Sequence, residues 1–231
     1  NYTSTGEKLH AHRALFRKLE ETGYGSIVRA TMTLHQVCAS KCQFCSTINR
    51  QKSDAITLDE AIEFVDTLYF RQHEFNELNF PEYQKAYERD VGRPIRLNGL
   101  ILSGGGQPNL WPHFSELVNY CKNLQIDLGL ITNGCPKHIS EEVYTAFSWV
   151  RLAITPEDAS PFYPEGQFNQ QYIPESIIRN GDVSFGLSYV YGPWTTNDIL
   201  KRLDGVSELW GVNYIRMLTD CNLPRSAQIR A

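Results

Sequence analysis

The sequence predicts an α/β fold on a parallel sheet, either doubly wound or an incomplete barrel. Two observations carry this expectation. Runs with strand character alternate with runs of helical period along most of the chain, and cysteine- or glycine-bearing motifs fall just after the first strand-like runs. At 231 residues the chain is long enough to bury one large core, so a single domain is the default.

The elements follow in order. Residues 9–22 carry Leu9, Leu15, Phe16 and Leu19 among charges and stop at Gly23, which predicts a lead-in helix inside an N-terminal segment of residues 1–25. Residues 26–34 are β-branched and alternating and predict the first strand. Thr57 and Glu60 then form a capping box, and Leu58, Ala61, Ile62, Val65, Leu68 and Tyr69 recur at three and four, the pattern of a helix packed by one face. Residues 71–94 are polar, aromatic and mixed in charge, and they interrupt the alternation for longer than an ordinary connection. They are expected to form an inserted lid or partner surface, partly helical.

Beyond the insertion the cadence predicts strand 97–103, helix 113–124, strand 127–132, helix 140–147 and strand 149–155. A Pro- and aromatic-rich segment precedes strand 183–191, helix 196–203 and strand 212–218. Parallel strands joined by helices place ligand-binding groups at the strands' C-terminal ends.

Composition narrows the function. A net charge of −4 and the lack of a Lys/Arg-rich run give no electrostatic footprint for nucleic acid. No apolar stretch reaches membrane-span length and the first residues lack a signal-peptide build, so a soluble, cytoplasmic protein is expected. Of the six cysteines, Cys121, Cys135 and Cys221 are scattered without a disulfide framework, which suits a reducing compartment. The chain opens on Asn1 and its last residues show no terminating motif, so it reads as part of a longer protein, with residues 221–231 the start of a C-terminal extension.

The other three cysteines, Cys38, Cys42 and Cys45, crowd into one loop after the first strand. Three thiolates can hold three irons of a [4Fe-4S] cubane and leave the fourth open to a small molecule. The alternative is a structural zinc site with His35 as fourth ligand, which would make the chain an interaction module. After the second strand comes Ser103-Gly-Gly-Gly-Gln-Pro108, where glycines let backbone approach a ligand closely. Thr132-Asn-Gly134 ends the third strand, as a polar site or an Asn-Gly turn.

The CxxxCxxC spacing, with Phe44 before the last cysteine, resembles the signature of the radical S-adenosylmethionine (radical SAM) enzymes. The resemblance covers roughly residues 27–218 and implies a partial (β/α)6 TIM-like barrel of parallel strands as a domain over 26–220, with the insertion following the first barrel helix. It implies a [4Fe-4S] cluster on Cys38, Cys42 and Cys45, S-adenosylmethionine (SAM) as co-substrate, and an electron donor such as a flavodoxin or ferredoxin. Gly105, Gly106, Gln107 and Pro108 resemble the family's Gly-Gly-Glu-Pro motif, which receives the SAM ammonium, with Gln in place of Glu. By the same resemblance Phe44, Asn133, Thr155 and the backbone at Met217 line the SAM site.

Strand parity sends Arg29, Thr31, Thr33 and His35 to the lumen from the first strand, and Trp149, Arg151, Ala153 and Thr155 from the fourth. Arg29 and Arg151 are candidates for substrate carboxylate recognition, which favours a peptide or amino-acid-like substrate. Nucleotide modification and activation of a glycyl-radical enzyme are the runner-up reactions.

Overall fold

The computed structural model describes residues 9–38, 42, 44–47, 49–134, 140–154, 176 and 181–221. Thr155 lies outside the described residues. Among the described residues six strands form one sheet, every neighbouring pair parallel, in the order they occur in the chain. They are β1 (Arg29–Met32), β2 (Gly99–Leu102), β3 (Asp127–Thr132), β4 (Phe147–Ile154), β5 (Ser184–Tyr191) and β6 (Tyr214–Thr219). The two edge strands, β1 and β6, do not pair with each other.

One contact joins the loops that follow β1 and β5. Four strand spacings across a flat sheet would separate the ends of β1 and β5 by about 19 Å. Yet the ring of Phe44, in the loop after β1, lies 5.8 Å from that of Trp194, just after β5. An open, strongly curved parallel sheet with helices on its convex face is a partial (β/α)6 barrel.

The predicted alternation sorts the faces correctly. In-register partners put Met32, Leu102, Leu130, Val150 and Phe185 on the convex side, where all are buried under the helices. The concave side carries Thr31, Ile101, Gly129, Trp149 and Ser184, then Ile131, Arg151, Gly186 and Tyr214. Parity fails at His35. The chain leaves the sheet after Met32, and His35 turns into a buried bridge with Ala55 and away from the open lumen.

Most helices arise as the sequence predicts. Helix α1 (Arg13–Thr22) ends on Gly23 in the left-handed conformation. Helix α2 (Leu58–Asp66) starts on the Thr57–Glu60 capping box. It continues through a π-turn at Thr67–Arg71 into α3 (Gln72–Asn79), and Pro81 opens α4 (Pro81–Val91). Helix α5 (Phe114–Asn123) and the short α6 (Glu141–Tyr144) link β2 to β4, and α7 (Asn197–Trp210) links β5 to β6. Two helix C-termini differ from expectation by several residues. Helix α7 runs past Gly205 to a left-handed Gly211, because Val206 and Trp210 continue its packed face. Helix α6 stops early because Phe147 already starts β4, where it is buried.

The insertion is helical but is not a lid. The Gln72 side-chain amide bonds both the N–H of Ile27 (2.7 Å) and its carbonyl (2.8 Å), pinning α3 to the chain entering β1. Helix α4 packs on α1 around a small second core of Ala14, Tyr83, Tyr87 and Ile95. These contacts lie at the strands' N-terminal edge, opposite the motif loops. Helix α1 accordingly buries Ala14 and Lys18, while Phe16 and Leu19 of its predicted apolar stripe stay exposed. The Lys18 stem lies beneath the fold, and its ammonium reaches Ser26 Oγ at 2.8 Å and the face of Phe80.

No helix among the described residues is long and apolar enough to cross a membrane.

Candidate active site at the strand C-terminal edge

The loops after β1, β2 and β3 meet at one edge, and backbone hydrogen bonds lock the first two together. Gly106 N–H donates to the His35 carbonyl (2.9 Å) and Gln107 N–H to the Val37 carbonyl (2.7 Å), directly before Cys38. The approach is close enough to exclude any side chain. A Cβ on Gly106 would sit 2.1 Å from the Val37 carbonyl oxygen. Gly104 and Gly105 supply the positive φ angles of the turn, 84° and 55°.

His35 completes this clamp from below. It is only 5 % exposed, and its Nε2 lies 2.6 Å from the Gln107 carbonyl. A carbonyl only accepts, so Nε2 carries the proton and donates. That nitrogen is thereby committed to the glycine loop, so a metal could be reached from His35 only through Nδ1.

Gln107 occupies an unexpected role. At 3 % exposure its side chain is buried, its Nε2 donates to Asn109 Oδ1 and Thr132 Oγ1, and its Oε1 accepts the Asn133 N–H at 3.0 Å. Thr132 Oγ1 also accepts the Gly134 N–H at 3.0 Å. The amide thus braces the end of β3 against the glycine loop and is not presented to a ligand. The buried acceptor turned toward that loop is instead Gln36 Oε1, 2.5 Å from where a Cβ on Gly105 would lie, with no hydrogen-bond partner.

The cysteines are half-buried in a loop that turns through a Cys45 N–H to Cys42 carbonyl bond of 3.1 Å. Their sulfurs face donors. Asn133 Nδ2 lies 3.7 Å from Cys38 Sγ, and Arg50 Nη1 lies 3.0 Å from Cys45 Sγ, with Thr47 Oγ1 at 3.3 Å. Burial alone pushes the Cys45 thiol up, but Thr47 and the Arg50 guanidinium outweigh it and hold the thiol below its ordinary value. Thr47 Oγ1 also reaches the Gly105 carbonyl at 3.1 Å, a second tie between the cysteine and glycine loops. Among the described residues no three His, Cys, Asp or Glu side chains converge on a single-ion site. The donor set, three soft thiols in one loop with N–H groups aimed at two of the sulfurs, fits an iron-sulfur cluster.

Met217 and Arg29 fall elsewhere. The Met217 side chain lines a cleft with Leu200, Leu203 and Ile215 on the convex side, so only its backbone is left to edge a ligand in the lumen. Arg29 opens β1 beside Gly99, two register rows below Arg151, about 13 Å along the strands. The two arginines therefore do not form one carboxylate site. Arg151 lies 5.7 Å from the Trp149 ring centroid, and Arg216 stands one row above it on the concave face.

Sequence reasoning missed His35 as a clamp, Gln36, Thr47, Arg50 and Arg216. The available signal was proximity: a hydroxyl and a cation two and five residues after Cys45.

The fold has solved counterparts. Over 98 % of this chain it superposes on SuiB of Streptococcus suis bound to S-adenosylmethionine, with TM-score 0.60 and 14 % identity. It also matches TYW1 with a lysine-pyruvate adduct bound, over 91 % of this chain and 72 % of that one, with TM-score 0.52 and 13 % identity. Archaeal TYW1 matches over 93 % of this chain and 73 % of its own, with TM-score 0.51 and 11 % identity.

The fold is the one that SuiB and TYW1 share.

The chain spans about half the length of SuiB, 49 % of that structure. No family model and no curated protein matches it in sequence. On this shared fold the clamped cysteine and glycine loops occupy the C-terminal edge of β1 and β2, with Asn133 closing the third side.

Proposed function

We propose that this chain is the catalytic barrel of a radical SAM enzyme. The observation that carries the reading is the junction of motifs: the three-cysteine loop is clamped to the glycine loop by Gly106 and Gln107 and touched by Asn133 from β3, all at one strand edge. Cys38, Cys42 and Cys45 would hold a [4Fe-4S] cluster, with SAM beside it along the glycine loop. When bound, the cluster and SAM supply a 5′-deoxyadenosyl radical that abstracts hydrogen from a substrate.

The protein's own contribution is positional. The backbone clamp fixes the cysteine loop against the glycine loop without side-chain freedom, and Phe44 and Trp194 close the rim between β1 and β5. Arg151, flanked by Trp149 on the concave face, would orient an anionic group. A peptide or amino-acid-like substrate bearing a carboxylate fits that chemistry, with an external low-potential protein as electron donor.

Anaerobic reconstitution followed by iron and sulfide analysis, EPR and product analysis tests the reading. The expected result is a single [4Fe-4S] cluster whose reduced EPR signal changes on adding SAM, with 5′-deoxyadenosine released under reducing conditions. Full cluster content in the triple Cys→Ala variant, or a signal indifferent to saturating SAM, would overturn it.

A further inference from the structure

We propose that Arg50 tunes the reduction potential of the cluster through the Cys45 sulfur; the inference rests on the cluster reading above. Arg50 Nη1 lies 3.0 Å from Cys45 Sγ and is held there by the Thr47 carbonyl at 3.1 Å and Thr47 Oγ1 at 3.2 Å. The guanidinium is permanently charged and its fork is rigid, so this is a fixed cation on one ligand sulfur. Reduction adds negative charge to the cluster and its thiolates. A cation in hydrogen-bond contact with one of them favours the reduced state and raises the potential. The contact is partly buried, so salt screens it less than a surface pair.

The neighbouring hydroxyl does not replace it. Thr47 Oγ1 has one hydrogen, and the Gly105 carbonyl stands at 3.1 Å to take it. With that hydrogen on the glycine loop, the Cys45 sulfur keeps the Thr47 backbone N–H and Arg50 as donors, and of the two only Arg50 carries a charge. The same arrangement puts the tuning cation two bonds from the loop assigned to SAM, through Thr47. Asn133 on Cys38 is neutral and more distant, at 3.7 Å. The cation therefore acts asymmetrically, on the Cys45 corner.

The test is an EPR-monitored redox titration of the anaerobically reconstituted chain, comparing the parent with Arg50→Gln and Arg50→Lys. The midpoint of Arg50→Gln is expected to move to more negative potential, and that of Arg50→Lys to move less in the same direction. A role confined to folding the loop would lower cluster content and leave the midpoint of the loaded fraction in place, so occupancy and potential are read separately. An Arg50→Gln midpoint equal to the parent's overturns the inference. Should Arg50→Gln load no cluster, a parent-like midpoint in the equally uncharged Arg50→Ala overturns it instead. A parent chain that binds no cluster overturns the cluster reading and this inference together, whereas a loaded parent with variants that titrate alike overturns this inference alone.

Discussion

Gln107 shows how one side chain changes the chemistry expected of a motif. Had its amide faced a ligand, Gln107→Glu would add a charge-assisted contact to an ammonium. Instead the amide uses donor and acceptor ends together, giving to Asn109 and Thr132 and taking from the Asn133 N–H. A carboxylate keeps the acceptance and loses both donations, at a buried position. Gln107→Glu is therefore expected to lower unfolding stability by about 1–3 kcal/mol without tightening SAM binding. Urea unfolding alongside a SAM titration checks this; tighter binding at unchanged stability would restore the ligand role. Gly106 makes the complementary case, since any Cβ there meets the Val37 backbone and displaces the segment leading to Cys38.

At the scale of elements, the helices are set by local chemistry at their ends. Thr57 Oγ1 accepts the Glu60 N–H at 3.2 Å while the Glu60 carboxylate accepts the Thr57 N–H at 2.8 Å, so α2 begins where the sequence says it must. Helix α7 instead runs past its predicted end at 203, since the interior Gly205 only weakens a helix that has a packed face, here Ile199, Leu203 and Trp210. A Cβ at Gly205 meets nothing within 4 Å, and its φ is not left-handed. Gly205→Ala is expected to stabilise the protein by about 0.5–1 kcal/mol, read as a raised urea midpoint at unchanged slope.

Across the whole molecule, the two edges of the sheet do different work. The N-terminal edge is sealed by α1, α3 and α4 around the second core, and the C-terminal edge carries the motif loops. Ile95 lies in that second core and is fully buried. Ile95→Ala should cost about 2–5 kcal/mol of stability. Because its contacts are at the far edge, the folded variant should keep parent cluster content and SAM affinity. Loss of SAM affinity in a protein folded by circular dichroism would instead place the insertion over the site.

The sequence by itself determined the parallel α/β cadence, the helix caps, the inward and outward faces of β4, and the crowding of three cysteines into one loop. Each of these is written in local patterns: a period of two or of 3.6, a cap three residues from its partner, or thiols a few residues apart. Only the tertiary structure decided what meets across strands. It closed His35 onto the Gln107 carbonyl, separated Arg29 from Arg151, turned the Met217 side chain to the convex face and carried the insertion to the edge away from the site. Those outcomes depend on register, curvature and the exit direction of each loop. They arise from packing between segments far apart in the chain, for which no single stretch of sequence carries a pattern.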